Sequence, residues 1–142
     1  MRNLYVFALL GGLALPAWAA PTVEVFKSST CGCCNKWIDH LKQNGFTVVA
    51  RDVEDVTPYK YRYGVPYGMG SCHTARVGGY TLEGHVPARE IKRLLAERPK
   101  GALGLVVPGM PQGSPGMEGP QQEAYDVVLF DGQGRTRTYA AY

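Results

Sequence analysis

Three cysteines stand within four residues, Cys31-Gly32-Cys33-Cys34, and a fourth stands beside a histidine in Ser71-Cys72-His73-Thr74. Thiolate sulfur and imidazole nitrogen are the soft and borderline donors that hold copper or zinc, and thiolate is also the group that attacks disulfides. The first cluster follows a strand-like run, Val23 to Lys27, and leads into a helix-like pattern, so three thiols crowd one strand-to-helix turn. Unpaired amides at a helix start carry partial positive charge and favour thiolate over thiol there. Redox chemistry, metal binding or both are the chemistry to expect.

Cys31 and Cys34 have the Cys-x-x-Cys spacing of a redox disulfide, and Cys33 adds a thiol that an ordinary site of that kind lacks. An extra thiolate complicates disulfide exchange but completes a metal cage. Three or four thiolates with imidazole and thioether favour Cu(I), with Zn(II) next, and several close thiolates can bridge more than one ion. Zinc is satisfied by four Cys and His ligands, so methionine is the discriminating donor. Met110 and Met117 recur in parallel Pro-Gly-Met settings, and we expect at least one of them to be a ligand; otherwise both fill an apolar groove. His73 is expected as a ligand through its neighbour Cys72. His85, just before Pro87, is expected either as a ligand or as a cap on backbone groups, and His40 on a solvated helix face. The bland alternative for four cysteines in an exported domain is two structural disulfides. Cys31, Cys33 and Cys34 are too close together to staple distant segments, which leaves only one long-range bridge, to Cys72.

The elements that must position these groups follow from periodicity. Val23 to Phe26 reads as a strand, and Cys34, Trp37, Ile38 and Leu41 recur at helical spacing up to the stop at Asn44-Gly45. Phe46 to Val53 is a second strand, parallel to the first across a right-handed crossover. Pro58 to Tyr63 is a short helix whose tyrosines pack; strands 74–77 and 80–83 flank a Gly78-Gly79 hairpin turn, and Pro87 opens a helix that Pro99 stops. The order β-α-β-α-β-β-α is that of thioredoxin, so the fold expected is α/β, a thioredoxin-like mixed sheet flanked by helices. In that fold a cis-proline normally opens the third strand and packs over the cysteines; here His73 takes the place, a ligand for a shield. Residues 100–120, rich in glycine and proline, are expected to form a functional loop with no regular element, and 125–139 a C-terminal β-hairpin.

Arg2, the apolar stretch Leu4 to Leu15 and Ala17-Trp18-Ala19 read as a signal peptide over 1–19, leaving 20–142 as a single exported domain. The stretch is short of the roughly 20 residues a membrane span needs, so a periplasmic protein without a membrane span is expected. Without Arg2, 14 basic residues stand against 12 acidic ones, a balance of +2, scattered rather than gathered in a stripe. Nucleic acid is therefore not an expected partner.

Four blocks in order, Cys31 to Cys34, Ser71 to Thr74, Gly84-His85-Val86-Pro87 and Val107 to Met110 through Ser114-Pro115-Gly116-Met117-Glu118, resemble the CopG-type copper-resistance family over almost the whole mature chain. The chain departs from the family pattern at Ser29, where proline is expected, and in the glycine-rich approach Tyr67-Gly68-Met69-Gly70. The resemblance implies a thioredoxin-like fold, a periplasmic setting, other envelope copper-resistance proteins as partners, and a cysteine-bridged copper site supported by His and Met. Three functions stay open at this point. The first is a copper-binding protein of copper resistance, as a sequestering protein or as an oxidoreductase interconverting Cu(I) and Cu(II). The second is a metal-independent thiol-disulfide oxidoreductase using Cys31 and Cys34, and the third is a structural domain with inert disulfides.

Overall fold

Phe26 of the first strand lies opposite Thr74 of the third, and Thr74 lies opposite Glu83 of the fourth, so three separate stretches of chain reach the same end of one sheet. The computed structural model describes residues 21–142; the expected signal peptide, 1–19, lies outside the described residues. The elements run β1 Val23–Lys27, α1 Gly32–Gln43, β2 Val48–Asp52, α2 Thr57–Arg62, β3 Thr74–Val77, β4 Tyr80–Glu83, α3 Ala88–Glu97, β5 Ala102–Val106, β6 Asp126–Asp131 and β7 Thr136–Ala141. They form a mixed α/β structure with one seven-stranded sheet in the order β2-β1-β3-β4-β5-β6-β7. The β1–β2 and β4–β5 pairs are parallel and each is joined through a helix, as parallel neighbours require; the other pairs are antiparallel.

Helix α1 buries Cys34, Trp37, Ile38 and Leu41, the helix-spaced stripe, and ends at Asn44 with Gly45 at φ +88° to turn the chain back. Trp37, Ile38 and Leu41 belong to one core cluster with Val23, Val25, Ala75, Leu82, Ile91, Leu94, Leu105 and Val127, all eight of them fully buried. Trp37 also donates from Nε1 to Val86 O at 2.9 Å, which ties α1 to the turn carrying His85. Tyr59 stacks on Phe26 at 4.2 Å and Tyr63 lies 5.7 Å from the same ring, whereas Tyr61 is exposed.

One expectation fails in the glycine- and proline-rich stretch: residues 100–120 are not free of regular structure, because β5 occupies Ala102–Val106. Leu103, Leu105 and Val106 are strand formers, and Gly104 does not break the strand. A Cβ at Gly104 would lie 2.0 Å from Thr81 O, so β4 and β5 approach there as only glycine permits. The irregular segment starts only after Val106. Beyond it β6 and β7 pair as an antiparallel hairpin, with β7 at the edge of the sheet.

Among the described residues no helix is long and apolar enough to cross a membrane.

Candidate metal centre

The sheet end described above collects the chemistry. The chain leaving β1 enters α1 through Cys31 to Cys34, the chain entering β3 carries Cys72 and His73, and the chain leaving β4 carries His85. Cys31 is the N-cap of α1, and its sulfur accepts the Cys34 N–H at 3.3 Å. The Sγ atoms of Cys33 and Cys72 lie 3.7 Å apart, those of Cys34 and Cys72 3.6 Å, and those of Cys31 and Cys33 3.5 Å. Four sulfurs thus form one cluster.

Cys31 and Cys34 are joined in a disulfide, while Cys33 and Cys72 are free and half-buried. The alternative of two structural disulfides is therefore not what the chain forms: the one bridge is local, and Cys72 takes no part in it. As metal ligands Cys31 and Cys34 require that bridge to be reduced. Burial, followed by the neighbouring Cys33 thiol, pushes Cys72 up to about 12, so its proton must be displaced when a metal binds.

On the other side of Cys72 stand two histidines. His85 Nε2 is 3.0 Å and His73 Nδ1 3.3 Å from the Cys72 sulfur, so Cys72, His73 and His85 form a second donor group that shares its thiol with the first. His85 Nδ1 lies 2.8 Å from Pro115 O; a carbonyl only accepts, so Nδ1 carries the hydrogen and Nε2 offers its lone pair toward sulfur. Burial holds His85 below the ordinary histidine value, against the Pro115 bond and Glu118; burial and then the nearby His85 hold His73 well below it. Both rings are thus neutral at neutral pH, the state that ligates metals. His73 is fully buried, its ring 4.3 Å from that of Trp37 and edge-on to His85 at 5.1 Å. Its Nε2 has no hydrogen-bond partner among the described residues. The immediate neighbours of this ring are the tilted Trp37 indole, the edge of His85 and the Cys72 sulfur. A soft-metal donor set fits that arrangement: four cysteine sulfurs, two of them free thiols and two released on reduction of the bridge, two neutral imidazoles, and no carboxylate in either group.

The methionines part company. Met117 lines a cavity of about 450 Å³ together with Cys33, Lys36, Gln112 and Glu118, whereas Met110 sits at the surface, 51% exposed. The segment between them does something that its sequence did not announce. A Cβ on Gly116 would meet Cys33 O at 2.7 Å and Trp37 N at 2.8 Å, so this turn lies flush against the start of α1 and presents Pro115 O to His85. The Ser-Pro-Gly-Met pattern reads as a device for aiming methionine; its polar contact is with His85. His40 also departs from expectation, for it is half-buried and its Nε2 accepts the N–H of Ala88, the first residue of α3. A histidine set among Asp39, Lys42 and Gln43 on α1 gave no sign that α3 would begin against it.

The family model described as "Protein of unknown function, DUF411" matches residues 69–117, the span that holds Cys72, His73, His85, Met110 and Met117. Two solved structures titled "Copper resistance protein copG", Form 2 and Form 1, are each 45% identical over 87% of this chain and 98% of theirs, with TM-scores of 0.82 and 0.81. The chain belongs to the CopG family. No curated protein matches it. The CopG likeness, unlike the family model, extends beyond residues 69–117. This CopG homologue carries a cysteine and histidine cluster able to bind a metal ion.

Proposed function

We propose that this CopG homologue is a periplasmic copper-binding protein of copper resistance that takes Cu(I) as its cargo. Its sulfur donors are Cys31, Cys33, Cys34 and Cys72, with His73, His85 and Met117 in support and Met110 as an outer donor at the surface. The observation that carries the reading is the position of Cys72, common to a four-sulfur group and a Cys-His-His group. A thiolate with donors on two sides is suited to bridge, so the site accommodates more than one copper. The titles of the similar structures support copper over zinc, as does Met117 beside Cys33.

The same cluster supports interconversion of Cu(I) and Cu(II). Closing the Cys31–Cys34 bridge from two thiols releases two electrons and two protons, enough to reduce two Cu(II) ions to Cu(I); opening it returns them. A periplasmic setting is supported by the signal-like residues 1–19 and by a disulfide, which persists in oxidising compartments. The thioredoxin-like reading rests on the parallel β1-α1-β2 unit followed by the β3–β4 hairpin and α3. Partners in this reading are other envelope copper-resistance proteins.

The bridge also supports a second reading, a metal-independent thiol-disulfide oxidoreductase in which Cys31 attacks and Cys34 resolves. One experiment separates the two. Reduced protein is titrated anaerobically with Cu(I) against a strong chelator, and bound metal is counted in wild type and Cys33→Ser. Competitive uptake that falls in Cys33→Ser is the expected result. Equal disulfide reductase activity of both proteins without metal, with no uptake in either, would establish the second reading instead.

A further inference from the structure

Glu83, at the end of β4, is fully buried, and a buried carboxylate is costly unless every lone pair is met. Here three of its roughly four lone-pair sites are met, and both oxygens have a partner. Oε1 accepts Lys60 Nζ at 2.5 Å and the Ser71 backbone N–H at 2.6 Å, and Oε2 accepts Thr74 Oγ1 at 2.6 Å. Lys60 Nζ reaches Thr74 Oγ1 as well, at 3.3 Å. With its oxygens so engaged, this carboxylate is not a spare metal donor. Its three partners instead bracket Cys72 and His73: Ser71 precedes them, Thr74 follows them, and Lys60 closes the group from α2. The His73 carbonyl accepts Gly84 N–H at 3.1 Å, so the residue after Glu83 holds the same dipeptide.

We infer that Glu83, paired with Lys60, is the positioning residue that sets Cys72 and His73 against the first turn of α1. Ser71 donates its amide inward to a fixed charge, which aims the next side chain, Cys72, at the sulfurs of Cys33 and Cys34. The consequence for copper rests on the function proposed above; the placement of Cys72 does not.

The test uses the protein with its Cys31–Cys34 bridge intact and no metal, in which Cys33 and Cys72 are the two free thiols. Iodoacetamide labels both, mass spectrometry gives the two rates, and their ratio cancels any general loosening. Two double variants are compared, each with Lys60→Met so that no buried charge is left alone: Glu83→Gln, which keeps an oxygen for the Ser71 N–H, and Glu83→Leu, which does not. The ratio of Cys72 to Cys33 labelling is expected to rise roughly ten- to a hundredfold in the leucine variant, the loss of a hydrogen bond to a charged group, and to stay within about threefold of wild type in the glutamine variant. Cu(I) affinity of the reduced proteins should follow the same order. Hydrogen exchange on wild type needs no variant: the Ser71 amide should exchange at least about tenfold more slowly than the Gly68 amide. An unchanged labelling ratio in a folded leucine variant would overturn the inference, and so would a Ser71 amide exchanging as fast as Gly68. Failure of wild type to bind Cu(I), with the labelling result as expected, would remove the proposed function and leave the positioning role standing.

Discussion

Replacing Gly116 by alanine should damage both the fold and the site, and the size of the effect can be worked out. The residue sits at φ +89°, where an L side chain costs about 1–2 kcal/mol. The added carbon would stand 2.7 Å from Cys33 O and 2.8 Å from Trp37 N. Both are backbone atoms of the first turns of α1 and cannot rotate aside, so the 113–117 turn must lift, at the roughly 1–3 kcal/mol typical of overpacking. Together these predict a loss of about 2–5 kcal/mol, a large share of the roughly 5–15 kcal/mol that stabilises a domain of this kind. Lifting the turn also withdraws Pro115 O from His85 Nδ1, now at 2.8 Å, and with it the bond that keeps Nε2 facing Cys72.

Urea denaturation of the metal-free protein measures the first effect, and Cu(I) competition at a denaturant-free temperature where both proteins are folded measures the second. Gly32→Ala is the control. It lines the same cavity as Gly116, but nothing stands within 4 Å of its added carbon, and it opens a helix, so it should leave stability unchanged or raise it by up to about 1 kcal/mol. Copper affinity of Gly116→Ala should fall about tenfold, the equivalent of one hydrogen bond. A Gly116→Ala protein whose unfolding free energy lies within about 0.5 kcal/mol of wild type would refute the packing argument, since that is the range of a neutral surface change.

Four further outcomes follow from the same geometry. Cys72→Ser should remove more bound copper than Cys33→Ser, because Cys72 alone belongs to both donor groups; elemental analysis of reduced, loaded protein decides it. In the metal-free protein the folded His73 and His85 have lowered pKa values, so the unfolded chain binds more protons below its ordinary 6.5. Stability should therefore be full above pH 6.5 and fall as the pH drops through it toward the folded values; a urea midpoint at pH 5 equal to that at pH 7.5 would contradict this. Met117→Leu should weaken Cu(I) retention several-fold and Met110→Leu less, by chelator competition, since only Met117 borders the Cys33 cavity. Trp37→Phe leaves Val86 O without its 2.9 Å donor and should cost about 1–3 kcal/mol in thermal or urea unfolding.

Local chemistry explains which parts of the fold could be read in advance. The stripe Cys34, Trp37, Ile38 and Leu41 placed α1, and Gly78-Gly79 placed the β3–β4 turn, because these signals act over a few residues. Strand β5 was hidden because its only warning lay elsewhere: Gly104 suits a strand there solely because Thr81 O of another strand passes so close. His40 failed as a surface residue for the same kind of reason, its partner being the Ala88 amide of a different helix.

The candidate site divides along the same line. Residue type and spacing were enough to name the cysteines, His73 and His85 that the fold then brings together, since donor softness is a property of a side chain alone. Their arrangement is a property of register. Antiparallel pairing of β1 with β3 puts Thr74 opposite Phe26, and pairing of β3 with β4 puts Glu83 opposite Thr74. One more partnership, Val106 of β5 with Glu83, brings the Met-bearing segment to the same place. A shift of two residues in the β1–β3 register would keep every buried face buried and still displace Cys72 by nearly 7 Å, at about 3.4 Å of rise per residue. That distance exceeds the 3.6–3.7 Å that now separates Cys72 from Cys33 and Cys34. The hydrophobic pattern alone therefore cannot specify the metal centre; the buried Glu83, through its hold on Ser71 and Thr74, fixes where Cys72 stands relative to β4, and the β1–β3 pairing decides where it stands relative to the first turn of α1.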